Sequence, residues 1–424
     1  MKDWDFSPPP ESDLGDAAAP ALRDREVPLE GNHLLGKPIA LLVTGSIAAM
    51  KAPLIARALR RQGADVVAFV SEDALRYTTI DTLEWSTTNP VVTKLTAAAE
   101  HLSDCNPFAA YLVAPATYNT INKMRYGIAD GVITSSLGSA LGRMERKQTQ
   151  ILIVPTMHGS LHNSILTESL QTLQSMGVRI VPPREGYGKN NLPDEVVIVA
   201  EVCRAVSQSP LKGVPILVTG GPTPVPIDNV RRLTNRFTGQ LGVHITEELY
   251  LRGAKVHLIH GQGSYTPPSH LPHQIVSTYD EYRTRVIEQL HRQSYKFAIF
   301  SAAVADYQPE KVFPGKIPSG DALKTINLIP TQKVIDLVKD KFPNLYTVTF
   351  KYQENVSHQE LMEIALARLK RGYQAVVANR GEERGDRGEQ IAYLVTQAEQ
   401  PQKMVGKQQI AVGIADYLEK VEVL

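Results

Sequence analysis

Cysteine is scarce: Cys105 and Cys203 are the only two thiols in 424 residues. Two thiols so far apart make neither a disulfide framework nor a CxxC metal pair. No metal site is expected from the protein's own ligands, and a reducing, cytoplasmic setting is the expectation. Net charge is nearly absent. The 45 Lys and Arg residues meet 44 Asp and Glu, leaving +1, without the basic excess of a protein that binds nucleic-acid backbones. No apolar run approaches the roughly 20 residues that a membrane-spanning helix needs. The opening stretch MKDWDFSPPPESDLGDAAAPALRDREVPLEGN has no basic segment followed by an apolar core, so it does not read as a secretory signal. Its proline and acid content predicts a flexible tail over residues 1–36. The remainder is long for one domain and comfortable for two, each able to bury its own core.

The first half alternates strand and helix patterns. Pro38–Thr44 (PIALLVT) is a strand by composition, Gly45-Ser46-Ile47-Ala48-Ala49 turns the chain, Met50–Gln62 has helical spacing, and Asp65–Val70 supplies the next strand. That order predicts a parallel sheet with crossover helices. Ser46 at the helix mouth suits either a phosphate or a plain N-cap. Tyr111–Ala114 is a further strand. It ends in Pro115-Ala116-Thr117-Tyr118-Asn119-Thr120, placing small and polar side chains at the carboxyl edge, where open α/β sheets bind ligands. Gly127–Gly131 leads into Val132–Leu141, whose small residues let either a flat ring or a second helix come close. After the strand Ile151–Pro155 come Thr156, Met157 and His158; a lone histidine there is either a structural hydrogen-bonding residue or a catalyst.

In their order and spacing, GSIAAMKAP, His101 before Pro115, APATYNTINKMRYGIADG and PTMH resemble the flavin-binding decarboxylase half of the bifunctional CoaBC (Dfp) family, which makes 4′-phosphopantetheine for coenzyme A. The resemblance runs from about Pro38 to Val206. It implies FMN held by Gly45, Ser46, Ser71, Ala114, Asn119 and Ser135. It also makes His101 the base that helps the flavin oxidise a cysteinyl thiol before the carboxylate leaves. Two features depart from the family pattern. His158 stands where the family's PAMN has the asparagine that holds the substrate carboxylate. The flap cysteine that protonates the ene-thiol has no counterpart in Glu185–Asn191, and Cys203 beyond it lies in an apolar-spaced helical segment, as a core residue. Three readings of this half stay open: decarboxylation of phosphopantothenoylcysteine, oxidative decarboxylation of another cysteinyl carboxylate, and flavin binding without turnover.

Ser207–Gly213 is a polar linker with proline and glycine, so the boundary is expected between residues 208 and 214. Val214–Val218 is a β-branched apolar run broken by Thr219-Gly220-Gly221-Pro222, and a helical pattern restarts near Gly239. A buried strand feeding a glycine turn at a helix mouth is a ready anion site; a Rossmann-like turn with solvated polar residues reads the same way. Asn235 and Arg236 precede the second glycine turn, where their donors suit a phosphate or carboxylate. Helices are expected over Val243–Arg252 and Asp280–Gln293, and strands over Lys255–His260 and Phe297–Phe300. The last of these ends in small residues and Asp306, which suits either a ligand or a turn. Glu310–Asp321 is punctuated by glycine and proline and reads as a mobile loop. Lys316 on it is either solvated or free to swing onto developing negative charge.

GGPTPVPIDNVRRLTNRFTG, SAAVADYQPEKVFPGKI, TVTFK and VVAN look like the phosphopantothenate–cysteine ligase half of the same family. That resemblance implies activation of the 4′-phosphopantothenate carboxylate by CTP with Mg²⁺, then attack by the cysteine amine. Asn235 would stabilise the acyl-cytidylate and Lys316 would offset charge as it forms. Asp306, Lys316, Phe350, Arg368 and Arg371 would hold the nucleotide, the last two arginines standing where the family usually has lysines. The family's KxKK is Lys316-Ile317-Pro318-Ser319 here, KNPD is Pro330-Thr331-Gln332-Lys333, and ANDV is Ala378-Asn379-Arg380-Gly381, so CTP and ATP both stay open. The expected fold class is α/β: a flavodoxin-like, three-layer flavoprotein domain over 37–208 and a Rossmann-like ligase domain over 214–424. Trimeric flavoprotein cores and paired ligase domains follow from the resemblance, with small-molecule substrates and neither nucleic acid nor membrane as partners.

Overall fold

The computed structural model describes residues 24–102, 107–186, 189–320 and 323–423. Cys105, Asp321, the Tyr187–Gly188 part of the stretch matched to the flap, and most of the expected tail lie outside them. The chain forms two compact units, one ending at Val206 and the other beginning at Ser207. Among the described residues no helix is long and apolar enough to cross a membrane.

In the first unit, strands β1 (Pro38–Val43), β2 (Asp65–Val70), β3 (Ala110–Ala116), β4 (Gln150–Pro155) and β5 (Arg179–Ile180) form a parallel sheet in the order β2-β1-β3-β4-β5. Helices α1 (Ala52–Arg61), α2 (Ile80–Thr87), α3 (Tyr118–Arg125), α4 (Val132–Glu145), α5 (Ser164–Ser175) and α6 (Glu195–Val206) connect and flank the strands. The strands are near-continuous apolar runs because both faces are covered. Leu42, Val113 and Ile153 pack with Ile121, Leu137 and Leu166 of α3, α4 and α5. α1 and α6 pack on the sheet and on each other, and α6 buries Cys203 as expected. Helix α1 buries Ala52, Ile55, Ala56 and Leu59, one face at helical spacing. The helix expected from Met50 begins instead as a tight 3₁₀ turn, Ile47–Lys51, because Ser46 caps that turn.

Part of the stretch expected to be a flexible tail is packed. Leu34 is fully buried, its amide donating to the Gln62 carbonyl at 2.8 Å, and the Glu30 amide donates to Arg61 at 2.8 Å. An isolated leucine beside the end of α1 has apolar surface to hide, worth about 2 kcal/mol.

Among the described residues the main sheet of the second unit has eight strands: β6 (Pro215–Gly220), β7 (Lys255–Gly261), β8 (His273–Val276), β9 (Phe297–Phe300), β10 (Tyr346–Gln353), β11 (Ala375–Arg380), β12 (Ile391–Val395) and β13 (Gln402–Val405). Their order is β8-β7-β6-β9-β10-β11-β12-β13, parallel up to β11 and antiparallel beyond it. Helices α7 (Gln240–Leu251) and α11 (Gly406–Val423) cover one face, while α8 (Tyr279–Arg292), α9 (Val334–Lys341) and α10 (His358–Lys370) cover the other.

Both sheets reverse direction beside their first strand, at β1/β3 and at β6/β9, and such switch points open a crevice at the carboxyl edge. In the second unit three small ladders extend that edge, one of them pairing Tyr307–Pro309 antiparallel with Leu328–Pro330. Pro222–Thr223 pairs in parallel with Ala303–Val304, and Val225–Pro226 pairs antiparallel with Arg232–Leu233. The hairpin so formed carries Asp228 in its turn and leads directly to Asn235.

Candidate functional sites

At the first switch point Thr44 joins two strands: its hydroxyl donates to the Pro115 carbonyl at 2.7 Å and accepts from the Thr117 amide at 3.3 Å. Ser46 Oγ accepts from the Ala48 amide and Ser71 Oγ from the Ala74 amide, both at 3.3 Å, so each serine caps a 3₁₀ turn at this edge. Gly45 is required by packing, since a Cβ there would lie 2.4 Å from Asp73 Cβ. The Gly45 and Ile47 amides have no acceptor among the described hydrogen bonds, which leaves two donors at a helix mouth for an anion. Ala114 is fully buried and precedes a cis peptide bond to Pro115, so it can offer a ligand only its main chain. Asn119 is exposed in the first turn of α3.

The other expected residues of this half are less closely tied to that edge. Ser135, in the first turn of α4, donates to the Ala129 carbonyl at 3.4 Å. His101 is half-buried, with Nδ1 shielded from solvent and without a hydrogen-bond partner. The neighbouring Leu102 carbonyl accepts from Arg143, which lies about 12 Å along α4 from Ser135. No described contact links His101 to the Gly45–Ser46 turn. His158 is exposed and makes no capping bond at the turn that follows it. Arg184–Gly186 and Lys189–Asn191 pair as an antiparallel hairpin.

At the second switch point the glycines serve packing. A Cβ on Gly221 would lie 2.4 Å from the Gly261 carbonyl oxygen, and one on Gly242 would lie 2.8 Å from Gly220 Cα. One on Gly239, which caps α7 at φ +84°, would lie 2.6 Å from Gly221 Cα. The mouth of α7 is thus pressed onto the ends of β6 and β7, backbone against backbone.

Asn235 reaches across this edge. Its Nδ2 donates to the carbonyls of Ala303 at 3.0 Å and Val304 at 3.4 Å. Asp306, two residues on, is exposed and ion-paired with Lys333. Its main-chain carbonyl accepts from the Thr331 amide at 2.9 Å, while Thr331 Oγ1 donates to the Ala305 carbonyl. Arg368 Nη1 donates to the Phe350 carbonyl at 2.9 Å. Lys351 is half-buried beside these groups. Burial lowers its pKa, Arg368 pushes the same way, and Asp306 opposes. Burial likewise lowers the pKa of Arg368.

The ring of Phe350, a residue expected to hold the nucleotide, packs against the core under α7 and α11, while Lys351 faces α10. Alternation along a strand sends adjacent side chains to opposite faces. The described hydrogen bond between Phe350 and Arg368 is accordingly through the Phe350 carbonyl. Arg371, at the end of α10, is exposed, and its carbonyl accepts from Lys339. The loop expected to be mobile is instead anchored on both sides of Lys316. Asn229 donates to the Gly315 carbonyl at 3.1 Å, and Ile317 donates to Asp228 at 3.0 Å. The Lys316 side chain itself is exposed.

Asp228, Lys333 and Lys351 were not singled out from the sequence. The Asp228-Asn229 pair was a readable turn signal, whereas nothing local marks its bond to a distant loop. Among the described residues no group of three or more His, Cys, Asp or Glu is placed to hold a metal ion.

A flavodoxin-like sheet order followed by a Rossmann-like sheet with a glycine-packed helix mouth defines a two-domain α/β class. Residues 29–207 match the family described as Flavoprotein, and residues 211–421 match the DNA/pantothenate metabolism flavoprotein C-terminal domain. The chain is 34% identical over 399 residues to the coenzyme A biosynthesis bifunctional protein CoaBC of Thermococcus kodakarensis, a match spanning 92% of this chain and 97% of that one. It belongs to the CoaBC (Dfp) family. It is also 31% identical over 256 residues to a cysteine/cysteine sulfinic acid decarboxylase of an unknown prokaryotic organism, covering 57% of this chain and 68% of that one. The solved DNA/pantothenate metabolism flavoprotein of Streptococcus pneumoniae is 28% identical, with a TM-score of 0.44 over 49% of this chain and all of that one.

Proposed function

We propose that the second unit joins 4′-phosphopantothenate to cysteine in two steps. A carboxylate oxygen attacks the α-phosphorus of CTP and pyrophosphate leaves; the cysteine amine then attacks the acyl carbon, loses a proton, and CMP departs. Activation is needed because a carboxylate is a poor electrophile until one oxygen becomes a good leaving group. One observation carries this reading: Asn235 is bonded to the carbonyls of Ala303 and Val304, beside Asp306 at the switch point. Lys316 would neutralise charge as the acyl-phosphate bond forms, and Arg368, Lys351 and Lys333 would face the nucleotide phosphates. Asp306 suits Mg²⁺, which such sites hold through one or two carboxylates together with substrate phosphates. Phe350 and Arg371 remain part of the proposed nucleotide site, Phe350 through its main chain.

The first unit is proposed to hold FMN through Gly45, Ser46, Ser71, Ala114, Asn119 and Ser135, the unpartnered Gly45 and Ile47 amides suiting its phosphate. When bound, FMN supplies a two-electron oxidant for a cysteinyl thiol. His101 would take the proton and His158 would contact the substrate carboxylate. The decarboxylase relative, together with the absence of cysteine from the sequence Glu185–Asn191 matched to the family's flap, favours a second reading in which this unit acts on another cysteinyl carboxylate. The apolar side chains of Ile47, Met50 and Leu54, each more than half exposed, suit the self-association proposed for this unit.

Incubation with 4′-phosphopantothenate, cysteine and either CTP or ATP, with products read by mass, tests the ligase. Pyrophosphate should appear only when phosphopantothenate is present, and Asn235→Asp should slow it without changing flavin content. Absence of both pyrophosphate and the amide with either nucleotide would refute the reading. Visible flavin absorption and carbon dioxide release from phosphopantothenoylcysteine test the first unit separately.

A further inference from the structure

We propose that Asp228 is a positioning residue for ligation: it ties the main chain that follows Lys316 to the hairpin that delivers Asn235, while its neighbour Asn229 holds the peptide before it. This rests on the roles given above to Lys316 and Asn235. The Asp228 side chain is fully buried and its two oxygens divide their work. Oδ1 accepts from the amides of Val230 at 2.7 Å and Arg231 at 2.6 Å, closing the turn of its own hairpin. Oδ2 accepts from Arg231 Nη1 at 2.7 Å and from the Ile317 amide at 3.0 Å, reaching a loop far along the chain. Arg231 Nη1 continues to the Ile317 carbonyl at 3.2 Å.

The consequence falls on Lys316. The peptide group before it is held through the Gly315 carbonyl by Asn229, and the one after it through the Ile317 amide by Asp228. Both backbone torsions of Lys316 are thereby constrained, while its ammonium stays in solvent. A buried carboxylate is tolerated only when paired and hydrogen-bonded. Here those partners are the Asn235 hairpin on one side and the Lys316 loop on the other. Reactant geometry held within an ångström is what such a tie supplies, and a 1 Å displacement can cost about 100-fold in rate.

The test uses the full chain with CTP, 4′-phosphopantothenate and cysteine. Asp228→Asn keeps one acceptor for the hairpin amides but turns an amide nitrogen toward the Ile317 N–H and the Arg231 guanidinium. The expected result is a kcat for pyrophosphate release about 10- to 100-fold lower, with KM for CTP little changed and flavin content unaltered. Combined with Lys316→Ala, it should slow the reaction no further than Lys316→Ala alone. Hydrogen exchange at the Ile317 amide should accelerate in Asp228→Asn. If that variant folds poorly, Asp228→Ser, whose hydroxyl can still cap the turn, replaces it. Multiplicative losses in the double variant, a loss confined to KM, or unchanged Ile317 exchange would each overturn the proposal while leaving the ligase reading intact. A wild-type chain that releases no pyrophosphate instead overturns the ligase reading, and this proposal with it.

Discussion

Three glycines of the second unit separate the two penalties that an added methyl group can incur. Gly213 has φ +83° with nothing within 4 Å of an added Cβ, so Gly213→Ala incurs only left-handed strain, about 1–2 kcal/mol. Gly242 lies in α7, and its Cβ would sit 2.8 Å from Gly220 Cα and 3.0 Å from Ser301 Oγ. Gly242→Ala therefore incurs overpacking of about 1–3 kcal/mol, offset by about 1 kcal/mol of helix propensity. Gly239 combines φ +84° with a Cβ that would lie 2.4 Å from His260 Cε1 and 2.6 Å from Gly221 Cα. The Gly221 contact is backbone and cannot rotate away, so strain and overpacking add to about 2–5 kcal/mol. At about 2–4 °C per kcal/mol for a domain of this size, Gly239→Ala should lower the Tm of the second unit by about 4–20 °C. Gly213→Ala should lower it by about 2–8 °C on the same conversion. Calorimetry of the full chain reads both, with flavin release marking the first unit independently. A Gly239→Ala variant no less stable than Gly213→Ala would falsify the backbone-to-backbone contact at the mouth of α7.

Arg252 bridges Glu248 at 2.8 Å, Asp416 at 2.8 Å and Glu419 at 3.1 Å. Arg252→Met leaves the buried Glu248 carboxylate without its arginine and should destabilise the second unit by about 3–5 kcal/mol in urea unfolding; a loss under about 1 kcal/mol would make the network a surface ornament. The Ile317 amide, with the Arg231 and Val230 amides and the Arg231 guanidinium, holds the Asp228 carboxyl well below its ordinary range. Because the folded value is depressed, the stability it contributes is complete above the unfolded pKa near 3.9 and is lost as pH falls below it. Thermal melts through that acid range should be flatter for Asp228→Asn than for wild type. Gly45→Ala would push the Ser46 turn off Asp73, and should lower the flavin carried per purified chain, read by visible absorption; unchanged flavin would detach that turn from the cofactor site.

The strands were legible because burial on both faces leaves a continuous apolar run, as in Pro38–Val43 and Phe297–Phe300. Element ends were less so. The Ser46 cap converts the first turn before α1 into a 3₁₀ turn, and α7 starts at Gln240 because Gly239 can adopt the left-handed cap. The placement of the Phe350 ring was readable in principle, since strand alternation alone separates it from its neighbour Lys351; a motif match ignores which face a residue takes. The anchoring of the Lys316 loop was not readable at all. Glycine and proline report local backbone freedom, whereas the bond that restrains this loop comes from Asp228, 89 residues earlier in the chain.

That contrast says how the proposed second site would be built. Its predicted chemistry resides in exposed side chains, Asn235, Asp306 and Lys316, none of which is held by core packing of its own. Their precision must therefore come from the main chain. The glycine contacts fix where α7 meets β6 and β7, the Pro222–Thr223 ladder carries Ala303 and Val304 forward to meet Asn235, and Asp228 closes the remaining gap to Lys316. An exposed lysine on an untied loop would spend most of its time elsewhere, because each unrestrained residue retains about 1–2 kcal/mol of backbone entropy that binding would have to overcome. Restraining the two peptides beside it lowers that cost in advance, and in the proposed reaction would leave chiefly the side-chain torsions to be set.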